Sequence, residues 1–397
     1  MLSYTERHTC RICGSEDLSE IYAVEEMYVN DFPATPDGHR GKAPMTLLRC
    51  EDCTLVQLRE TIDEEIYRDY WYQSKLNKKI VNNLREIAEG AAAYAGLQPG
   101  DTVLDIGAND GTLLSMYPEG IRTVGVDPAV TIQEDLAANA DIAINDFFNF
   151  DTYRKHAGEA NAKIITAIAM FYDLENPHQF LDDVKAVLAS DGLFVVQFMG
   201  MPQMVRINDV GNICHEHILY YTWDSLVRLF GDHGLTIARV IENDINGGSW
   251  QLWIGHTETT QPAEYTEPEN DLEAFIQGLY DNKADLQNFL EDCKQKNKKV
   301  YIYGASTKGN TIAQFYDITG DQVAGAAEIH PDKIGRYLVG TGIPIVHEDE
   351  ARKDADYFLV MPFGFRDIFV EKEKTVDLVF CTPKFEIVKV AAEDPAQ

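Results

Sequence analysis

Thr102-Val103-Leu104-Asp105-Ile106-Gly107-Ala108-Asn109-Asp110-Gly111 joins a short apolar run to a turn bounded by two glycines. The run predicts a buried strand. The glycines predict a turn where backbone passes close to a ligand with no Cβ in the way. Outward from this point the same unit recurs. Apolar runs at 123–126, 142–144, 163–169 and 193–198 alternate with helical stretches near 131–138 and 176–189, and a further helix is expected directly after Gly111. Such alternation predicts βαβ units and a largely parallel sheet. Residues 235–242 and 249–254 have no helix between them and predict an antiparallel edge, while 61–96 reads as helical, with Tyr67, Tyr70, Trp71 and Tyr72 clustered in it. A connecting helix is expected within 262–298, and a second α/β unit starts at 300–303 and turns through Gly304-Ala305-Ser306-Thr307-Lys308-Gly309. Three domains are expected, 1–65, 66–262 and 263–397, in an α/β architecture.

The seven cysteines include two C-x2-C pairs, Cys10/Cys13 and Cys50/Cys53. Each short turn sets two thiolates on one side, and two turns complete the tetrahedral S4 shell that Zn²⁺ prefers. Four cysteines leave no open coordination position, so the expected zinc is structural. The 36 residues between the pairs, with Pro33, Pro36, Gly38 and Gly41, read as a loop excursion. An odd cysteine count and no export signal at the start of the sequence predict a reducing, cytoplasmic setting.

The chain has 397 residues, 45% hydrophobic and 25% charged, which is ordinary globular composition. No run approaches the ~18 apolar residues of a membrane span. With 34 basic and 65 acidic residues the net charge is −31, which repels phosphate backbones and argues against nucleic acid as a partner.

Candidate site residues fall at strand ends. Asp127 closes the second strand, where a carboxylate can accept both ribose hydroxyls. Asp146 and Phe147 close the third and could frame an adenine. The phosphate-binding G-x-G-x-x-G pattern is absent, which favours a nucleoside ligand over a dinucleotide. Cys214-His215-Glu216-His217 follows the fifth strand; two imidazoles flanking a carboxylate can supply a general base and a group that orients it. In the C-terminal unit, Ser306 and Thr307 at a helix start, Lys308, and downstream Lys333 and Arg336 suit an anionic phosphate.

Asp105, Gly107, Gly111, Asp127 and Asp146 match the motifs of class I S-adenosylmethionine-dependent methyltransferases, with Asn109 inside the glycine turn. The order of parts resembles the nucleotide-sugar C-methyltransferase family: two C-x2-C pairs, D-I-G-x-N-D-G, C-H-E-H and a terminal Y-G-A-S-T-K-G. The resemblance covers Cys10 to about Val388. It implies an N-terminal zinc-binding domain, a central Rossmann-like domain for the methyl donor, and a smaller C-terminal α/β domain that helps hold the nucleotide of the sugar. It also implies C-methylation of a nucleotide-linked 4-keto-6-deoxyhexose at C3, by a monomer or small homo-oligomer. His217 is the implied base with Glu216 beside it, and Tyr70 and Tyr72 reach the sugar. Two positions depart from the family pattern. Cys214 stands where a tyrosine is common, and Phe171 follows the fourth strand where a histidine is common, leaving Tyr172 as the nearby proton carrier. O-methylation of a sugar or polyketide hydroxyl, and a non-catalytic donor-binding scaffold, are the alternative readings.

Overall fold

The computed structural model describes residues 2–69, 71–361 and 363–390. Its largest sheet runs in the order Leu235–Asn243, Ser249–His256, Leu188–Phe198, Ala162–Ile168, Thr102–Ile106, Arg122–Val126, Ile142–Ile144. Ser249–His256 is antiparallel to both its neighbours and the other pairings are parallel. Every residue of Thr102–Ile106 is buried, as a central strand covered on both faces requires. The strand order reverses between Thr102–Ile106 and Ala162–Ile168, and the crevice beyond the carboxyl ends at such a reversal is where α/β sheets bind ligands.

Three local expectations are corrected. The helix expected after Gly111 is a single 3-10 turn, Leu114–Met116, which ends at Tyr117-Pro118 before the next strand starts at Arg122. Residues 61–96 begin not as helix but as the strand Glu60–Ile62 and two 3-10 turns, Glu64–Arg68 and Ser74–Leu76. The helix itself is Lys78–Ala95, whose start is fixed by Asn77 accepting from the Lys79 amide at 3.0 Å and whose end is a left-handed Gly96. Its buried positions Ile80, Leu84, Ile87, Ala88 and Ala91 form one apolar stripe. A helix that the sequence reading missed, Phe150–Ala157, is capped by Asn149.

The segment between the cysteine pairs is no loop excursion. Leu18–Tyr28 and Lys42–Cys50 pair as a long antiparallel hairpin, and the prolines and glycines occupy only its tip. Val56–Leu58 joins this sheet, and Leu219–Tyr220, just beyond His217 in sequence, completes it. The C-terminal unit is a six-stranded sheet ordered Ile345–His347, Gly325–Glu328, Val300–Tyr303, Tyr357–Val360, Asp377–Phe380, Glu386–Val388, parallel except at the last strand. The helix Leu272–Gln295 leads into it and buries Phe275, Leu279, Leu286 and Leu290.

The units are held by buried polar contacts. Arg11 donates to Glu175 at 2.8 Å, to the Leu58 carbonyl and to Thr61. Asn30, at the hairpin tip, donates to Thr311 of the C-terminal unit at 3.1 Å and lies 3.4 Å from the Glu216 carboxylate.

Candidate active site

At the sheet reversal the chain leaves Ile106 through Gly107 at φ 69° and Gly111 at φ 74°. A Cβ on Gly107 would lie 3.0 Å from Met170, and one on Gly111 would lie 2.8 Å from Asn139, so both positions need glycine for conformation and for space. Asn109 between them is also left-handed, a conformation asparagine tolerates. Asp127 closes the neighbouring strand and accepts the Asn109 and Ala129 amides at 2.8 Å, one on each oxygen. A carboxylate has about four acceptor positions, so each oxygen keeps one for a ribose hydroxyl. Asp146 is half exposed at the third strand end, with Phe147 beside it; the Arg68 guanidinium lies 5.1 Å from the Phe147 ring centroid and 3.7 Å from Asp146. Asp105 lies deeper. It accepts a 2.5 Å hydrogen bond from Thr166 in the adjacent strand, and burial pushes its pKa up to about 7.

The turn also holds a strap that sequence reading missed. Asn109 Nδ2 donates to the Tyr72 carbonyl at 2.9 Å and its Oδ1 accepts the Ser74 amide at 3.0 Å, while Asp110 accepts the Lys75 amide at 2.9 Å. Tyr72 is thereby fixed by its backbone beside the glycine turn. Tyr70 lies outside the described residues. The signal that could have found the strap is the Asn-Asp pair itself, two side chains suited to binding neighbouring backbone.

In the Cys214–His217 segment the two histidines part company. His215 is buried and its Nε2 donates to the Ala43 carbonyl at 2.9 Å, which pins the loop to the zinc-bearing hairpin. His217 Nδ1 lies 3.1 Å from the Asn212 carbonyl. Because that oxygen can only accept, Nδ1 carries the hydrogen and Nε2 keeps its lone pair. The His217 ring packs 4.1 Å from the Tyr172 ring, and desolvation together with the nearby Lys308 cation depresses the imidazole pKa to about 3. Glu216 is buried; its backbone carbonyl accepts from Tyr67 at 2.8 Å.

Phe171 is fully buried and stacks on Phe198, Tyr221 and Phe230, whereas the next residue, Tyr172, lines a narrow cavity at the strand ends. Burial and the Glu216 charge hold the Cys214 thiol well above its ordinary pKa, so it is no thiolate nucleophile.

The C-terminal residues divide. Ser306 caps the helix Thr307–Phe315, accepting the Gly309 amide at 2.9 Å, and Thr307 opens that helix. Lys333 is buried, donates to the Ala305 carbonyl at 2.8 Å and lies 4.2 Å from the Phe32 ring centroid. Arg336 donates to the Asp332 and Phe32 carbonyls and stacks over Trp71. Lys308 turns the other way, into the cavity with Tyr172 and Asn212, where its ammonium meets Asp209 at 2.7 Å. The structure therefore does not gather the three cations at one place.

The thiols of Cys10, Cys13, Cys50 and Cys53 lie within 4.8 Å of one another. A tetrahedral zinc with Zn–S of about 2.3 Å sets sulfurs about 3.8 Å apart, and the closest pairs, Cys10/Cys53 and Cys13/Cys50, stand at 3.4 Å. Amides of Ile12 and Cys13 approach the Cys10 sulfur at 3.4 and 3.5 Å, as they do around a thiolate ligand. Four sulfurs and no open position fit a structural zinc.

Comparison with known proteins follows this layout. Residues 10–67 match a zinc binding domain model, 72–240 a methyltransferase domain and 244–379 a C-methyltransferase C-terminal domain. The chain is 25% identical over 385 residues to the C-methyltransferase NovU of Streptomyces niveus, covering 92% of each. Among solved structures it matches the magnesium protoporphyrin IX methyltransferase of Synechocystis PCC 6803 with bound SAM, at 13% identity over 48% of this chain and 86% of that one, TM-score 0.34. A methyltransferase from Clostridium acetobutylicum ATCC 824 matches at 8% identity over 44% and 92%, TM-score 0.35. No helix among the described residues is long and apolar enough to cross a membrane. With a glycine turn and a strand-end carboxylate inside the segment that matches a methyltransferase domain, a four-cysteine cluster before it and a match to a C-methyltransferase C-terminal domain after it, the protein is an S-adenosylmethionine-dependent methyltransferase, similar to a C-methyltransferase along most of its length.

Proposed function

We propose that this protein C-methylates a nucleotide-linked 4-keto-6-deoxyhexose at C3, in the biosynthesis of branched deoxysugars, with His217 as the base. The observation that carries the reading is the cavity beyond the carboxyl ends of Ala162–Ile168 and Leu188–Phe198, where Tyr172 and Asn212 form wall and His217 packs against both while keeping Nε2 unprotonated. A C–H beside a ketone is acidic only because the resulting anion spreads onto oxygen. A neutral imidazole to take the proton and a cation near that oxygen are what such chemistry needs.

S-Adenosylmethionine, when bound, supplies a methyl group made electrophilic by its sulfonium. The residues that suit it are Gly107 and Gly111 for close backbone approach, Asn109 and Asp127 for the ribose side, and Asp146 and Phe147 for the adenine, with Asp105 setting the turn from below. Glu216 orients the loop through Asn30 and Tyr67, and Tyr72 and Tyr172 face the sugar. The nucleotide half lies along Ser306, Thr307 and the first turn of the following helix. In this reading Lys333 and Arg336 shape that surface by fixing Ala305 and Phe32.

The cavity measures ≈ 20 Å³, room for about one water. The reading therefore requires its walls to part when the sugar enters.

The test is mass spectrometry of the protein with S-adenosylmethionine and dTDP-, GDP- and CDP-4-keto-6-deoxyhexoses in D2O. One methyl gained on carbon, with deuterium entering the position beside the ketone, is the expected result. Methyl gain without carbon-bound deuterium would assign O-methylation instead. No mass gain or exchange with any sugar, while the donor still binds, would end the ketosugar reading.

A further inference from the structure

Lys308 belongs to the C-terminal α/β unit, on the first turn of Thr307–Phe315, yet its side chain lines the cavity with Ala169, Tyr172, Gln197 and Asn212 of the methyltransferase unit. Its side chain is about one-fifth exposed, and its ammonium pairs with Asp209, whose side chain is only 10% exposed, at 2.7 Å. An ammonium has three donors, and among the described residues its hydrogen-bond partner is Asp209. Lys333 and Arg336 offer a contrast, since both are committed to backbone carbonyls and aromatic faces. Lys308 is thus a cation held by a single anchor at the edge of a nearly closed cavity. Electrostatic stabilisation is strongest in such a place, because water does not compete for the charge.

We propose that Lys308 is a catalytic residue of the methyltransferase cavity, its ammonium facing the ketone oxygen of the sugar and stabilising the enolate. The proposal rests on the C-methylation reading above. In the step it serves, the proton of the carbon beside the ketone passes to His217 Nε2. The C–H pair becomes the C=C bond, and the carbonyl π pair moves onto the oxygen facing Lys308. Positive charge at that oxygen lowers the barrier to forming the enolate, and, beside the larger effect of desolvation, it helps to keep His217 neutral beforehand: an ammonium nearby opposes a second cation until negative charge develops between them. Asp209 acts as a positioning residue that holds the ammonium in the cavity. Placing a cation from one unit against a base from another would also make proton abstraction depend on the two units being docked.

The experiment measures deuterium entry beside the ketone in D2O, with zinc-loaded full-length protein, no methyl donor present, and the nucleotide ketosugar on which the wild type works. Lys308→Met is expected to slow exchange at saturating sugar by at least about 100-fold, with KM changed by less than about threefold, and Lys308→Arg to recover part of the loss. The double variant Lys308→Met/Asp209→Asn removes the uncompensated carboxylate as a source of misfolding, and is expected to remain as slow. If Lys308→Met or the double variant raises KM while saturated exchange is unchanged, the ammonium holds a phosphate and the proposal is overturned. A wild type that exchanges no nucleotide ketosugar would instead overturn the C-methylation reading, and this proposal with it.

Discussion

The Asn212 carbonyl oxygen accepts from His217 Nδ1 at 3.1 Å, which decides the tautomer of the one imidazole in the C-H-E-H segment that packs on Tyr172, a residue of the cavity wall. His217→Gln keeps a donor of similar reach and removes the base. It is expected to abolish both methylation and proton exchange at the sugar carbon while leaving donor binding within about twofold of wild type, measured by calorimetry. Tyr172→Phe keeps the ring that packs on His217 and is expected to retain more exchange than His217→Gln. Equal loss in both variants would transfer the proton-accepting role to the pair.

The same imidazole has a pH signature in stability. Its pKa falls from 6.5 to about 3 on folding, so between those values the unfolded chain binds the proton and the folded chain does not. Stability attributable to His217 therefore rises with pH through that window and is lost as pH falls from about 6.5 towards 3. The slope should be less than about 1 kcal/mol per pH unit, because the ring keeps some water contact. Urea unfolding at pH 5 and pH 7 should show wild type losing more stability on acidification than His217→Gln. Identical losses would mean that the imidazole is not desolvated as described.

Asn109 bonds the strap 72–75 to the glycine turn through both ends of its amide. Asn109→Gly preserves the left-handed backbone and removes those two bonds, each worth about 1 kcal/mol. Faster hydrogen exchange at the Ser74 amide is expected, together with weaker donor binding. Unchanged protection at Ser74 would show that the strap is held by other contacts. Asp127→Asn, by contrast, should weaken donor binding by roughly tenfold or more through the lost charged acceptors, without freeing Ser74.

How much of this was legible beforehand follows from the range of each interaction. The Asp105–Gly111 turn could be read because strand burial and left-handed glycines are dictated within a few residues. The zinc centre could be read because four thiols constrain one another chemically whatever lies between them. The direction of Lys308 could not, since its anchor Asp209 is 99 residues away in a different sheet unit. Phe171 and Tyr172 are adjacent, and only the packed core shows that the first joins an aromatic stack and the second faces the cavity. The expected helix after Gly111 failed because Pro118 and the strand that starts at Arg122 leave length for one turn only. The strap that Asn109 and Asp110 hold beside that turn leaves no trace in periodicity.

Glu175 has two arginine partners, Arg7 and Arg11, and the burial of Arg11 makes its removal costly. Arg11 has no exposed side-chain surface, and its guanidinium lies against Glu175, the Leu58 carbonyl and Thr61. Those cations hold the Glu175 carboxyl below its ordinary pKa. Glu175→Gln would leave a buried guanidinium without its counter-charge, an effect of about 3–5 kcal/mol in comparable settings. The expected outcome is a lower unfolding midpoint in urea, accompanied by loosening of the zinc-bearing segment. A midpoint within about 0.5 kcal/mol of wild type would show that Arg11 is held by its neutral acceptors alone.

The zinc centre should matter to catalysis as well as to folding, because the sheet it anchors is completed by Leu219–Tyr220, directly after the proposed base His217. Leu219 pairs with Gln57 and Tyr220 with Val56, the Leu58 amide donates to the Ile218 carbonyl at 2.9 Å, and His215 donates to Ala43. Four attachments therefore run from residues flanking His217 to strands that lead into or out of the second cysteine pair. Structural zinc sites couple metal binding directly to local folding. One zinc per chain is expected, and Cys50→Ser or strong chelation should remove it, lower the thermal midpoint and cut proton exchange at the sugar by roughly tenfold or more. Amide exchange at Ile218–Tyr220 should rise in step with zinc loss, which separates loosening of the loop from unfolding of the whole chain. A zinc-free protein with full exchange activity and unchanged protection at those amides would show that the hairpin and the loop hold together through hydrogen bonds alone.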